Sequence, residues 1–159
     1  MRKVCLLGAL LLAACAPPPS SPPPPPGAYG MAPSNVAMAS PMQDANGKQF
    51  AAPPPGLGAL YFFNPTSAGP AIKVVVNGQE IGQLGTQTWL RAELAPGERT
   101  VRCWGAASSS ALSIYLAPGE IRFFDIEMNP GQPACSVREA PPDQGRSAVL
   151  MGGRAFQGQ

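Results

Sequence analysis

The chain has 159 residues, only 13% of them charged, and a formal net charge of +2. So neutral and sparsely charged a chain lacks the basic footprint of a nucleic-acid binder. It contains no histidine, which removes the commonest general base, the commonest zinc ligand and every serine–histidine or cysteine–histidine pair.

Met1-Arg2-Lys3 is basic, Val4 to Leu12 is apolar but too short to span a bilayer, and small residues follow. That is the layout of a secretory signal. It ends in Leu12-Ala13-Ala14-Cys15, which resembles the signal of bacterial lipoproteins. The resemblance implies a cut between Ala14 and Cys15, a diacylglycerol on the Cys15 thiol, and an acyl chain such as palmitate on the new amino terminus. Several acyl chains on one residue anchor stably, where one alone binds marginally. Ala16 stands where an Asp would signal inner-membrane retention, so the resemblance implies the outer membrane, and we expect the domain to face the periplasm.

Losing residues 1–14 would also remove Arg2 and Lys3, leaving nine basic and nine acidic side chains on 145 residues. Cys5 would leave with the signal and Cys15 would be acylated. Cys103 and Cys135 remain, and in an oxidising compartment two thiols most economically form one disulfide. Such a bridge would contribute roughly 3–4 kcal/mol by loop-closure entropy. Two cysteines without histidine make a metal site improbable, and we expect no cofactor.

From Cys15 to Leu57 the chain reads as a tether. Ala16 to Leu57 holds 13 of the 21 prolines, and Ala16 to Pro26 would extend roughly 34 Å as polyproline II at ~3.1 Å per residue. Gly27 to Leu57 has no sustained period and reads as disordered spacer.

Gly58 to Met151 reads as the folded domain. Ala59 to Phe63 is rich in strand formers and ends at Asn64-Pro65. Ile72 to Val76 and Gln79 to Leu84 flank Asn77-Gly78, a strong hairpin turn. Thr88 to Leu94 alternates, with Leu90, Ala92 and Leu94 on one face. Arg99 to Trp104 alternates after Ala95-Pro96-Gly97-Glu98. Leu112, Ile114 and Leu116 mark the next strand, and Ala117-Pro118-Gly119-Glu120 ends it. Glu120 to Met128 follows with Phe124, Ile126 and Met128 inward, then Ala134 to Glu139 with Cys135 and Val137 on one face. Asp143 is expected to cap a short helix running to about Met151, and 152–159 to fray as a flexible tail. Eight short strands with these turns predict an all-β fold, a small antiparallel β-sandwich or small barrel.

The runs Val74 to Leu84, Leu94 to Val101 and Leu116 to Phe124, with their Asn-Gly and Pro-Gly turns, together resemble a family of bacterial envelope proteins known as domain of unknown function 2846. Arg99 stands where such domains often carry histidine. The resemblance implies a transthyretin- or immunoglobulin-like sandwich on a lipoprotein, and it transfers no catalytic residue.

Little in the sequence speaks for an enzyme. Asp125 and Glu127 share a strand face and could act as a carboxylate pair, but a solvated face explains them better. Ser108 to Ser110 has no base beside it. The sharper expectation concerns the outward face: Trp89, Arg91, Arg102, Trp104 and Tyr115 together form a candidate partner or glycan surface, unless a helix or loop covers them. The function expected is therefore a non-catalytic envelope module that binds a protein partner or supports an assembly, with glycan or peptidoglycan binding as the alternative.

Overall fold

The computed structural model describes residues 36–104, 110–129 and 133–157. The segment carrying the signal and Cys15 lies outside these, as do Ser108 and Ser109. Eight strands form where alternation and turn residues place them: β1 (Gly58–Asn64), β2 (Ile72–Val76), β3 (Gln79–Leu84), β4 (Thr88–Leu94), β5 (Gly97–Trp104), β6 (Ala111–Leu116), β7 (Ile121–Met128) and β8 (Cys135–Ala140). A short β9 (Gly153–Arg154) follows. The all-β sandwich is thus what the chain forms. One sheet runs β8-β7-β1-β4-β9, the other β3-β2-β5-β6. The four-stranded sheet is wholly antiparallel. The five-stranded one is mixed, because β1 runs parallel to β7 and β4 parallel to β9.

The core between the sheets holds Leu60 and Phe62 of β1, Val74 of β2, Leu90 of β4, Val101 of β5 and Phe124 and Ile126 of β7. Met128 packs against its rim. Both Ala-Pro-Gly-Glu segments sit at one end of the sandwich and carry the chain from one sheet to the other, β4 to β5 and β6 to β7. Gly97 and Gly119 take the positive φ values (122° and 75°) for which glycine suits such turns. Side chains then fix each corner differently. Arg99 Nε donates to the Ala95 carbonyl at 3.1 Å, while Glu120 Oε2 accepts from the Ala117 amide at 2.8 Å. Asn77 and Gly78 both have positive φ, as the hairpin turn demands.

Cys103 on β5 and Cys135 on β8 are bonded, with Cα atoms 6.1 Å apart. Because the two strands belong to opposite sheets, the bridge staples the sandwich across its core. Arg122 makes a second cross-sheet tie. Its guanidinium donates from β7 to the Tyr115 carbonyl on β6 at 2.6 Å and forks onto Glu139 at 2.7 and 2.6 Å. The bond to Glu139 holds the Arg122 proton above the ordinary arginine range.

Three expectations change. The spacer reading fails for 36–57, which belongs to the folded domain. A helix, α1 (Pro41–Gly47), starts at a capping box in which Ser40 and Gln43 satisfy each other's backbone. The helix α2 (Pro142–Met151) forms where expected, but Pro141 occupies the cap position and no side chain caps it. Asp143 lies in the first turn instead. The tail does not fray over 153–157: β9 pairs with β4, Ala155 is fully buried, and the Phe156 amide donates to the Ala37 carbonyl at 2.7 Å.

Both helices lie over the outer face of the five-stranded sheet and use glycine to do so. A Cβ on Gly47 would lie 2.1 Å from the Trp89 ring, and one on Gly145 would lie 2.3 Å from Phe123. Helix propensity favours Ala over Gly by about 1 kcal/mol, whereas overpacking costs about 1–3 kcal/mol. With ring and backbone both fixed, the steric cost should win. Gly145→Ala is expected to lower the urea midpoint, and a raised midpoint would show that α2 can move off the sheet at little cost. Removing the bridge by Cys103→Ala with Cys135→Ala should cost about 3–4 kcal/mol in the same denaturation measurement.

Candidate functional site

The two outer faces of the sandwich differ. On the five-stranded sheet, strand register sets two rows across the outer surface. One runs Ala140, Phe123, Tyr61, Arg91; the other runs Arg138, Asp125, Phe63, Trp89, Arg154. Tyr61, Phe63, Trp89 and Phe123 form a second apolar cluster with Val149 of α2, and Phe50 packs against it. The Tyr61 and Phe123 rings stack with centroids 5.1 Å apart. The Tyr61 hydroxyl donates to the Gly47 carbonyl at 2.8 Å and so holds α1 in place. Burial raises the Tyr61 pKa above its ordinary value.

Trp89 therefore points away from the sandwich core, as its phase predicts, yet it is completely buried. Residues 36–57 and the helices cover it. Arg91 is engaged as well: it donates to the Ala51 carbonyl at 2.9 Å, pairs with Glu93 at 2.9 Å, and lies 5.4 Å from the Tyr61 ring centroid. At the edge, Arg154 sits over the Trp89 ring, and burial lowers its pKa. Trp89 and Arg91 thus hold the covering layer down; Trp89 is no part of an open surface, while Arg91 also lines an edge hollow of about 440 Å³ with Glu93, Arg154 and Gln157.

Asp125 and Glu127 meet Arg138 on this same face, at 2.9 and 2.5 Å from its Nη2. The solvated-face expectation holds in part for Glu127 and fails for Asp125, which is buried. Strand register explains why: Phe63 lies beside it on β1, and Phe123 lies two residues before it on the same face of β7, which keeps water away. Its Oδ1 is buried with no hydrogen-bond partner among the described residues. Burial, and then the neighbouring Glu127 charge, raise its pKa above the usual carboxylate range. One guanidinium across two carboxylates makes an ion cluster. Among the described residues no three histidine, cysteine or carboxylate side chains gather as metal ligands would.

Among the described residues, no other element covers the outer face of the four-stranded sheet, which is bare in that sense. Cross-strand pairing sets Trp104 beside Lys73, Arg102 between Val75 and Ala111, Thr100 beside Ser113, and Tyr115 beside Glu98. Trp104 is 48% exposed and Tyr115 65%. Two open hollows flank Val75. One of about 580 Å³ lies between Pro70, Lys73, Glu80 and Trp104; the other, of about 490 Å³, lies between Asn77, Thr100, Arg102 and Trp104. Lys73 pairs with Glu80 at 2.9 Å across the surface.

The five residues expected on one surface thus divide between two sheets that face opposite ways. Arg102 and Trp104 lie together on the bare face. Tyr115 shares that face but opposes Glu98, six residues from Trp104 along β5, which is roughly 20 Å at ~3.3 Å per residue. The hollows also draw on Lys73, Val75 and Thr100, which sequence reading did not single out. Their signal was present: Lys73 and Val75 alternate with buried Val74 and Val76 in β2.

No family model, curated protein or solved structure matches the chain.

A buried acid whose folded pKa is raised favours folding while it is protonated and loses that contribution as pH rises through the folded value. Asp125 should therefore weaken the fold progressively from acidic to neutral pH. Asp125→Asn keeps the shape, removes the titration and leaves Arg138 paired with Glu127. Urea denaturation should find the variant at least as stable at pH 7, with its advantage shrinking on acidification. An advantage that grows on acidification would contradict the raised pKa.

Proposed function

We propose that the chain is a lipid-anchored envelope module without catalytic activity, which offers the bare face of its four-stranded sheet to a protein partner or an assembly. The observation that carries this reading is the contrast between the faces. One is covered by the chain's own helices and aromatic residues. The other leaves a half-exposed tryptophan beside Arg102 and Lys73, and tryptophan and arginine are residue types that anchor protein interfaces. The Leu12 to Cys15 run supports the anchor and the envelope position, with the outer membrane favoured by Ala16. The resemblance to domain of unknown function 2846 agrees with such a role and adds no residue to it.

Glycan or peptidoglycan binding is less well supported. A sugar platform needs aromatic faces that act together. Trp89 is buried and Tyr115 is roughly 20 Å from Trp104 by strand rise, so Trp104 stands alone.

Two measurements test the proposal. Cys15→Ser should abolish palmitate incorporation and release the protein from the membrane fraction; retention of both would refute the anchor. A photo-crosslinker placed at Ser113 should give a discrete adduct in intact cells, whereas one at Gln144 on α2 should not. Trp104→Ala should weaken that capture by about 30-fold or more, the value of a hot-spot residue at about 2 kcal/mol. Undiminished capture, or loss of peptidoglycan retention with capture intact, would displace the partner reading.

A further inference from the structure

Seven large apolar side chains are exposed among the described residues, and five of them fall at one corner. Met38, Met42, Leu150, Met151 and Phe156 are between 51% and 82% exposed. They belong to three segments that meet at β9. Met38 bridges Ala155, and its methyl would lie 2.7 Å from a Cβ on Gly153. The Ala39 amide donates to the Arg154 carbonyl at 2.9 Å, and the Arg154 amide donates to Asp44 Oδ1 at 2.8 Å. Leu150 and Met151 end α2 immediately before β9. Exposed apolar side chains gathered at one place signal a surface that something covers.

The path of the chain identifies that surface. The described residues begin at Val36, which packs on the sandwich core beside this corner. Twenty residues separate Val36 from Cys15, a span of at most roughly 65 Å at ~3.3 Å each. If Cys15 is acylated, this corner is where the leash reaches the domain. We propose that the corner seats on the lipid surface that holds the anchor, with Met38, Met42, Leu150, Met151 and Phe156 entering the headgroup boundary. The inference rests on the lipid-anchor reading of Cys15. Charge favours it: Asp44 is the only acid within 36–44 and 150–157, Lys48 pairs with it, and the Arg154 backbone amide donates to it. The side chains concerned would bind a free bilayer weakly. Tethering makes their contact intramolecular, so a modest affinity suffices. Seating also turns the orientation of the bare sheet from free tumbling into a fixed presentation.

The test uses acylated full-length protein reconstituted into phosphatidylethanolamine–phosphatidylglycerol vesicles. The Cys103–Cys135 bridge and the acyl chains would leave an introduced thiol as the only free one. An environment-sensitive fluorophore on Ser147→Cys, one turn before Met151, should shift to the blue and be quenched by spin-labelled lipid. The same fluorophore on Ser113→Cys, on the bare sheet, should do neither. Met42→Asp with Met151→Asp should abolish the shift at Ser147→Cys while the protein still floats with the vesicles. Near-ultraviolet dichroism from buried Trp89 verifies the fold of this variant. Flotation with equal spectra at the two sites, or a shift that survives the double substitution, overturns the seating and leaves the anchor standing. Failure to float overturns the anchor and the seating with it.

Discussion

Every residue of the central strand β1 is buried, so this strand needs apolar cover on both faces, and the rest of the molecule is arranged to supply it. Leu60 and Phe62 face the second sheet. Tyr61 and Phe63 face the other way, into an aromatic layer with Trp89 and Phe123. A bare sheet carrying that layer would expose several rings to water, at about 1.5–3 kcal/mol for each large side chain left unburied. The covering elements are therefore part of the core. They comprise α1, the segment through Phe50, α2 and β9, and they include much of what looked like spacer and tail. Single contacts register them: the Tyr61 hydroxyl on the Gly47 carbonyl and Gly145 against Phe123.

This requirement was legible in part. Strand positions followed from alternation and from Asn-Gly and Pro-Gly turns, and those signals are local. The sandwich core followed too, because Leu90, Phe124 and Val137 sit in phase with their strands. The covering layer was harder to see. Its signal was the unbroken apolar run Ala59-Leu60-Tyr61-Phe62-Phe63, which does not alternate, as befits a strand buried on both sides. With that run in the middle of a sheet, an outward tryptophan on the neighbouring strand is covered. Residues 36–57 hid their role because only Phe50 and a capping box speak for order there, amid proline and alanine. The pairing of β9 with β4 joins residues some 65 positions apart, and no short window shows it.

The candidate surface was misjudged for a related reason. Alternation tells which side of its own strand a residue occupies, and it places Trp89, Trp104 and Tyr115 correctly in that sense. It does not tell which sheet a strand joins. The chain changes sheets at Ala95-Pro96-Gly97, so outward on β4 and outward on β5 are opposite directions in space. Arg91 and Arg102, paired in the pattern, end on opposite sides of the domain with different tasks. Arg91 is spent on Ala51, Glu93 and the Tyr61 ring, whereas Arg102 stays exposed on the bare face.

The same division accounts for how charge is used. On the covered face, the row through Asp125, Phe63 and Trp89 ends in a guanidinium at each sheet edge, Arg138 on β8 and Arg154 on β9. Arginine suits these positions because its stem packs on rings while its planar head reaches carboxylates and carbonyls. The cross-sheet staples, Cys103–Cys135 and Arg122 to the Tyr115 carbonyl, tie the covered sheet to the bare one along the β8–β6 side. The opposite side is closed by Val36 and the β9 segment. A sandwich held on both sides and covered on one face has one broad face left over. That face carries the exposed Lys73–Glu80 ion pair, which contributes little to the fold, and the half-exposed Trp104.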